Sequence, residues 1–102
     1  MEIIQWVCDK IDDEIDDSID YSKMAIECRD DYPALADAII KIAEEEMKHM
    51  GILHAQVTAI IDAYRKANGE PPEAMQMLYK ITHKKHIAHA AEARAYMSMY
   101  KE

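Results

Sequence analysis

Phenylalanine is absent from this chain, and glycine and proline are nearly so, at two and three in 102 residues. So few chain breakers leave little room for the many turns of a sheet protein. The abundant Ala, Ile, Met, Glu and Lys favour helix instead. No apolar run is long enough to span a bilayer, which argues against a membrane protein. No basic segment leads into an apolar stretch after Met1, so nothing reads as a secretory signal and the expected location is cytoplasmic. There are two cysteines, Cys8 and Cys28, and no C-x-x-C pair. They fall on one expected helix, roughly 30 Å apart along its axis, too far for a disulfide. Basic residues are scarce at one end. Residues 1–31 hold eleven acids against three bases (Lys10, Lys23 and Arg29), which accounts for the formal charge of −8, while the remainder is balanced. With no basic patch to neutralise phosphates, nucleic acid is not an expected partner. An acidic helix either attracts divalent cations or simply keeps a face solvated.

What is present reads as a single all-α domain, residues 1–102, of three long helices. Ile4, Val7, Ile11, Ile15, Ser18, Tyr21, Ala25 and Cys28 step by three and four, which predicts a first helix over about 2–29. Pro33 suits a helix start, and Asn68-Gly69 with Pro71-Pro72 supplies a stop, so the second helix is expected over about 33–67. The third, over about 72–101, carries Met75, Tyr79, His86, Ala90, Ala93 and Met97 on one face. Short connections make neighbouring helices antiparallel, giving an elongated hairpin plus a third helix. Ile3, Ile19, Ile26, Ile40, Ile52 and Ile61 fall outside the main stripes. A helix that is apolar on more than one side needs more than one neighbour, which points to a homodimer or higher homo-oligomer with a shared core.

Charged groups interrupt two of these stripes. On a helical wheel Ile39, Ile42, Met50, Leu53, Val57 and Ile60 lie within about 40° of Glu46, and His49 is three residues further on. Glu14 lies within about 40° of Val7, Ser18, Tyr21 and Ala25, whereas Asp12, Asp13, Asp16 and Asp20 point well away and read as solvated. A carboxylate in a buried stripe needs a cation, a metal or a hydrogen-bond donor. Glu14 and Glu46 lie nineteen residues before Pro33 and thirteen after it, so an antiparallel hairpin brings them towards one level. Glu-x-x-His aimed into a helix bundle is an arrangement that binds metal pairs, and a buried Glu–His pair that fixes register is the plainer reading.

Glu14, Tyr21 seven residues on, and Glu46-x-x-His49 together resemble the half-site of ferritin-like di-iron proteins. The likeness is greatest to the encapsulated ferritins, whose second helix opens with a proline sixteen residues before the histidine. An acidic pair precedes that histidine by three and four residues, as Pro33, Glu45, Glu46 and His49 do here. The resemblance covers residues 14–50. It implies that Glu14, Glu46 and His49 are metal-ligating and catalytic, with Tyr21 and Glu45 beside them. It implies an iron cofactor as a di-iron centre (manganese and zinc being other metals such a ligand set accepts), and Fe(II) with oxygen or peroxide as reactants. Two chains together supply the ligands for two metals, completing a four-helix ferritin-like bundle by dimerisation. The chain ends in Tyr96-Met97-Ser98-Met99-Tyr100-Lys101-Glu102, which continues a helix and does not look like the extension that directs cargo into a protein shell.

The third helix also carries His83, His86 and His89, with His83 and His86 on its inner face and His89 turned by about 80°. They are weaker metal candidates, and hydrogen bonding within the core is the favoured reading. Two functions therefore stand at this stage: a di-iron protein oxidising Fe(II) for storage or oxidative protection, and a non-catalytic helical adaptor with a buried Glu–His pair or structural metal.

Overall fold

The computed structural model describes residues 2–102 as three α-helices and no strand: α1 (Glu2–Cys28), α2 (Pro33–Asn68) and α3 (Glu73–Lys101). At 1.5 Å per residue the 36 residues of α2 span about 54 Å, and the molecule measures 56 × 19 × 18 Å. No helix among the described residues is long and apolar enough to cross a membrane.

The helix ends follow from local chemistry. Pro33 occupies the first turn of α2, where its missing N–H costs nothing. The Tyr32 N–H donates to the Cys28 carbonyl at 2.7 Å and the Tyr32 carbonyl accepts from Ala36, so one residue closes α1 and opens α2. At the other end of α2, Gly69 takes φ +79°, a left-handed conformation that costs glycine little, and its N–H caps the Arg65 carbonyl at 2.8 Å. Arg65 then pairs with Glu70 across the turn. Pro72 precedes α3, accepting from the N–H groups of Met75 and Gln76.

α1 lies between the other two helices and packs along both, while α2 and α3 touch least of the three pairs. Near the α1–α2 turn the core is built from small residues (Ala25, Ala36 and Ala43) with Ile39 and Ile40. Further along it is built from Ile4, Cys8, Ile11, Ile15, Ile19, Val57, Ala90 and Ala93. Small side chains let backbones approach closely, and here Ser18, fully buried, donates its hydroxyl to the Ala43 carbonyl at 3.0 Å. That bond fixes the register of the hairpin. Four residues back along α1 and three or more forward along α2 bring Glu14 to the level of Glu46 and Met47.

α3 runs parallel to α1. Lys23 stands over the Tyr96 ring at 5.0 Å, and Arg29 donates to the carbonyls of Met99 and Tyr100 at 3.1 and 2.9 Å. Both carbonyls lie at a helix C-terminus, where the dipole favours a cation, and that of Met99 also accepts from the Glu102 N–H at 3.3 Å. The Tyr100 hydroxyl donates to Asp37, so the end of α3 is tied to both arms of the hairpin.

Two expectations are corrected here. Ile42, assigned to the inner stripe of α2, is 39 % exposed, and Ile40, assigned outside it, is buried. The face of α2 towards α1 and α3 is thus rotated from the stripe centred on Glu46. Ile19 likewise belongs to the core, because α1 has a neighbour on each of two flanks.

Candidate metal centre

Glu14 on α1 and Glu46 and His49 on α2 present ligand atoms that all lie within 4.8 Å of one another. Among the described residues no other trio of His, Cys, Asp or Glu side chains converges so tightly. His49 Nδ1 is 3.4 Å from Glu14 Oε2, and that oxygen is buried without a hydrogen-bond partner. A buried, unpartnered carboxylate oxygen costs free energy, so something positive belongs beside it.

The electrostatics agree. Glu46 is pushed up to about 7, first because its side chain shares a hydrogen bond with Glu14, then through burial and the negative charges of Glu14 and Asp17, against a smaller lowering by His49. Two carboxylates at one spot do not both ionise readily, and a proton held between them takes the place that a cation would fill. Two carboxylates and an imidazole form a hard-to-borderline donor set suited to Fe(II), Mn(II) or Zn(II). The donor set and the orphaned oxygen fit a divalent metal.

The centre lies on one flank of the hairpin. Asp12 and Asp16, two residues before and after Glu14, are rotated from it by about 160° and contact α3, so Glu14 faces the side of α1 away from α3. Ile3, Leu35 and Ile42 share that flank and are 45 %, 52 % and 39 % exposed. His49 is itself half exposed. The flank that carries the ligands is therefore open, with Ile42 one turn from Glu46 and Ile3 and Leu35 about 16 Å along the helices from Glu14 and Glu46.

The structure places the other sequence-derived candidates differently. Tyr21 is half-buried and packs with the Ala25–Ile39 cluster nearer the turn. Glu45 is exposed, about 100° around α2 from Glu46. The histidines of α3 separate. His86 is buried, with Nε2 3.1 Å from Asp12 Oδ1 but off the line of a hydrogen bond, which leaves that nitrogen without a partner. His83 is exposed, its Nδ1 3.3 Å from Nε2 of His54 on α2. His89, expected to turn away, reaches Asp16 with Nε2 at 2.8 Å and Asp12 with Nδ1 at 3.8 Å. Asp12 and Asp16, read as solvated, are thus partners of α3. His54 escaped notice because it lies about 80° from Glu46 on the wheel, outside the single stripe. The signal for it is the second neighbour of α2.

Comparison of the chain with family models, curated proteins and solved structures gives no match.

Proposed function

We propose that this chain is a ferritin-like Fe(II)-binding oxidase whose metal centre is completed by a second copy of itself. The observation that carries the reading is the convergence of Glu14, Glu46 and His49, with an unpartnered carboxylate oxygen, on a flank bordered by exposed isoleucine and leucine. One chain offers two carboxylates and one imidazole. Two such flanks face to face bring together four carboxylates and two imidazoles, the complement for a carboxylate-bridged metal pair. They also cover the apolar residues around it.

Fe(II) is the substrate and enters from the half-exposed His49 side. Metal there would replace the proton that Glu46 holds, with Glu14 and Glu46 as the carboxylate ligands. The Nδ1 atom of His49, which faces Glu14, is the nitrogen placed to coordinate. The bound iron pair supplies the electrons that reduce oxygen or peroxide. Ile42, one turn from Glu46, limits water at the centre once the second flank is in place. The adaptor reading keeps the flank as a contact surface and removes the chemistry.

Metal and association are linked under this reading. A metal held by both copies favours the dimer by its differential affinity. Sedimentation with and without Fe(II), alongside metal per chain, is expected to show tighter association with metal and saturation at one ion per chain. Association indifferent to metal favours the adaptor, and two ions on an isolated monomer reject the shared centre.

A further inference from the structure

We infer a second, independent metal site in the trough between α2 and α3, where His54, His83 and His86 bind a divalent late transition metal such as zinc and fasten the two helices together. Two cavities of about 400 and 280 Å³ open between these helices, and all three histidines line both. His54 Nε2 and His83 Nδ1 face each other at 3.3 Å, with ring centroids 5.2 Å apart. In a tetrahedral site with metal–nitrogen bonds of about 2.05 Å, two ligand nitrogens stand about 3.3 Å apart. The pair is therefore spaced as a tetrahedral edge, with one ligand from each helix.

His86 lies three residues after His83, on the same face of α3. Its Nε2 lies 3.1 Å from Asp12 Oδ1, on the carboxylate side of the ring, which leaves Nδ1 as the nitrogen on the other side to coordinate. A carboxylate behind the ring is the arrangement that orients metal-binding histidines. Burial lowers the His86 pKa, and neutral imidazole is the form a metal needs. The three nitrogens do not yet converge as the α1–α2 trio does, so metal capture draws the His86 ring in, with water as fourth ligand. Imidazole nitrogen without carboxylate in the inner set selects zinc, copper or nickel over magnesium and calcium. The consequence is mechanical, because α2 and α3 otherwise touch least of the three helix pairs. A ligand from α2 with two from α3 closes that gap.

The test uses the full chain carrying Glu46→Ala and His49→Ala, so the outcome does not depend on the α1–α2 centre. Titration with Co(II), followed by its visible absorption and by displacement with Zn(II), is expected to give one tetrahedral ion per chain. Adding His54→Ala, His83→Ala or His86→Ala is expected to weaken binding by more than the roughly 10–100-fold effect of losing an outer carboxylate, and Asp12→Asn by about that factor. Zn(II) is expected to slow amide exchange in the facing segments of α2 and α3. No Co(II) uptake by the double variant, or uptake whose affinity is unchanged in the histidine variants, overturns the site and leaves His54 and His83 as a hydrogen-bonded pair. Circular dichroism of each variant separates lost ligands from lost folding.

Discussion

Asp12, Glu14 and Asp16 are spaced by two along α1, so they alternate between its flanks, and the flanks receive them differently. Towards α3, Asp12 and Asp16 meet His86 and His89, two carboxylates against two imidazoles, with the closest contact 2.8 Å. Towards the open flank, Glu14 meets Glu46 and His49, two carboxylates against one imidazole, and an oxygen is left without a partner. Both groups sit on the same helix within one turn of each other. The count of groups separates them: the first sets one imidazole beside each carboxylate, and the second has one carboxylate more than it has imidazoles. An acid-rich helix therefore does not mark a cation site by its acids alone. The candidate site is where tertiary packing leaves the acids outnumbering their partners.

The largest effect that sharpens this contrast is on iron. Glu46→Ala with His49→Ala is expected to reduce Fe(II) affinity by more than about 100-fold, whereas Asp12→Ala with Asp16→Ala leaves it within a few-fold. Isothermal titration with Fe(II) under anaerobic conditions reads both. Equal losses in the two variants would erase the distinction between the flanks.

The next effect is on pH dependence, where the flanks have opposite signs. Glu46 is raised from its ordinary value of 4.5 to about 7, so the folded state holds its proton more tightly than the unfolded chain does. That contribution to stability is present below about pH 4.5 and lost as pH rises through about 7. His86 is lowered from 6.5, chiefly by burial, so its contribution is present above about pH 6.5 and lost as pH falls below it. In metal-free protein, Glu46→Gln is expected to be more stable than the parent at about pH 8 and to lose that advantage by about pH 5. Urea denaturation across that range tests it, and a constant difference between the two proteins contradicts the sign given to Glu46.

Much of this was legible in the sequence, for identifiable reasons. Pro33 and Gly69 act through their own backbone, so the limits of α2 needed no knowledge of its neighbours. Glu14, Glu46 and His49 stood out because each interrupts an apolar stripe, and the hairpin that joins them has a short turn. The partners of α3 were not legible. A wheel drawn around one stripe assumes one neighbour, and α1 has two within the chain, so Asp12 and Asp16 are read as solvated, His89 as turned away, and Ile19 as waiting for a second copy. Ile42 and Ile40 exchanged roles on α2 for the same reason.

The smallest expected effect lies in the balanced group. The Asp16 side chain is 63 % exposed, so its pair with His89 is screened, and Asp16→Asn is expected to cost about 0.2–1 kcal/mol. A loss several times larger would show that the α3 flank depends on this pair more than its exposure allows.

Arg29 joins the end of the first helix to Met99 and Tyr100, seventy residues later in the chain. A contact across so long a loop is costly to form early, whereas the Ser18–Ala43 bond closes a loop of twenty-five. The order of assembly follows. The hairpin condenses first, through local contacts, and α3 docks along it last, with Arg29 closing after its other contacts have formed. An interaction made after the rate-limiting barrier sets how fast the protein comes apart rather than how fast it forms. Arg29→Ala is accordingly expected to speed unfolding in stopped-flow experiments while leaving the refolding rate nearly unchanged.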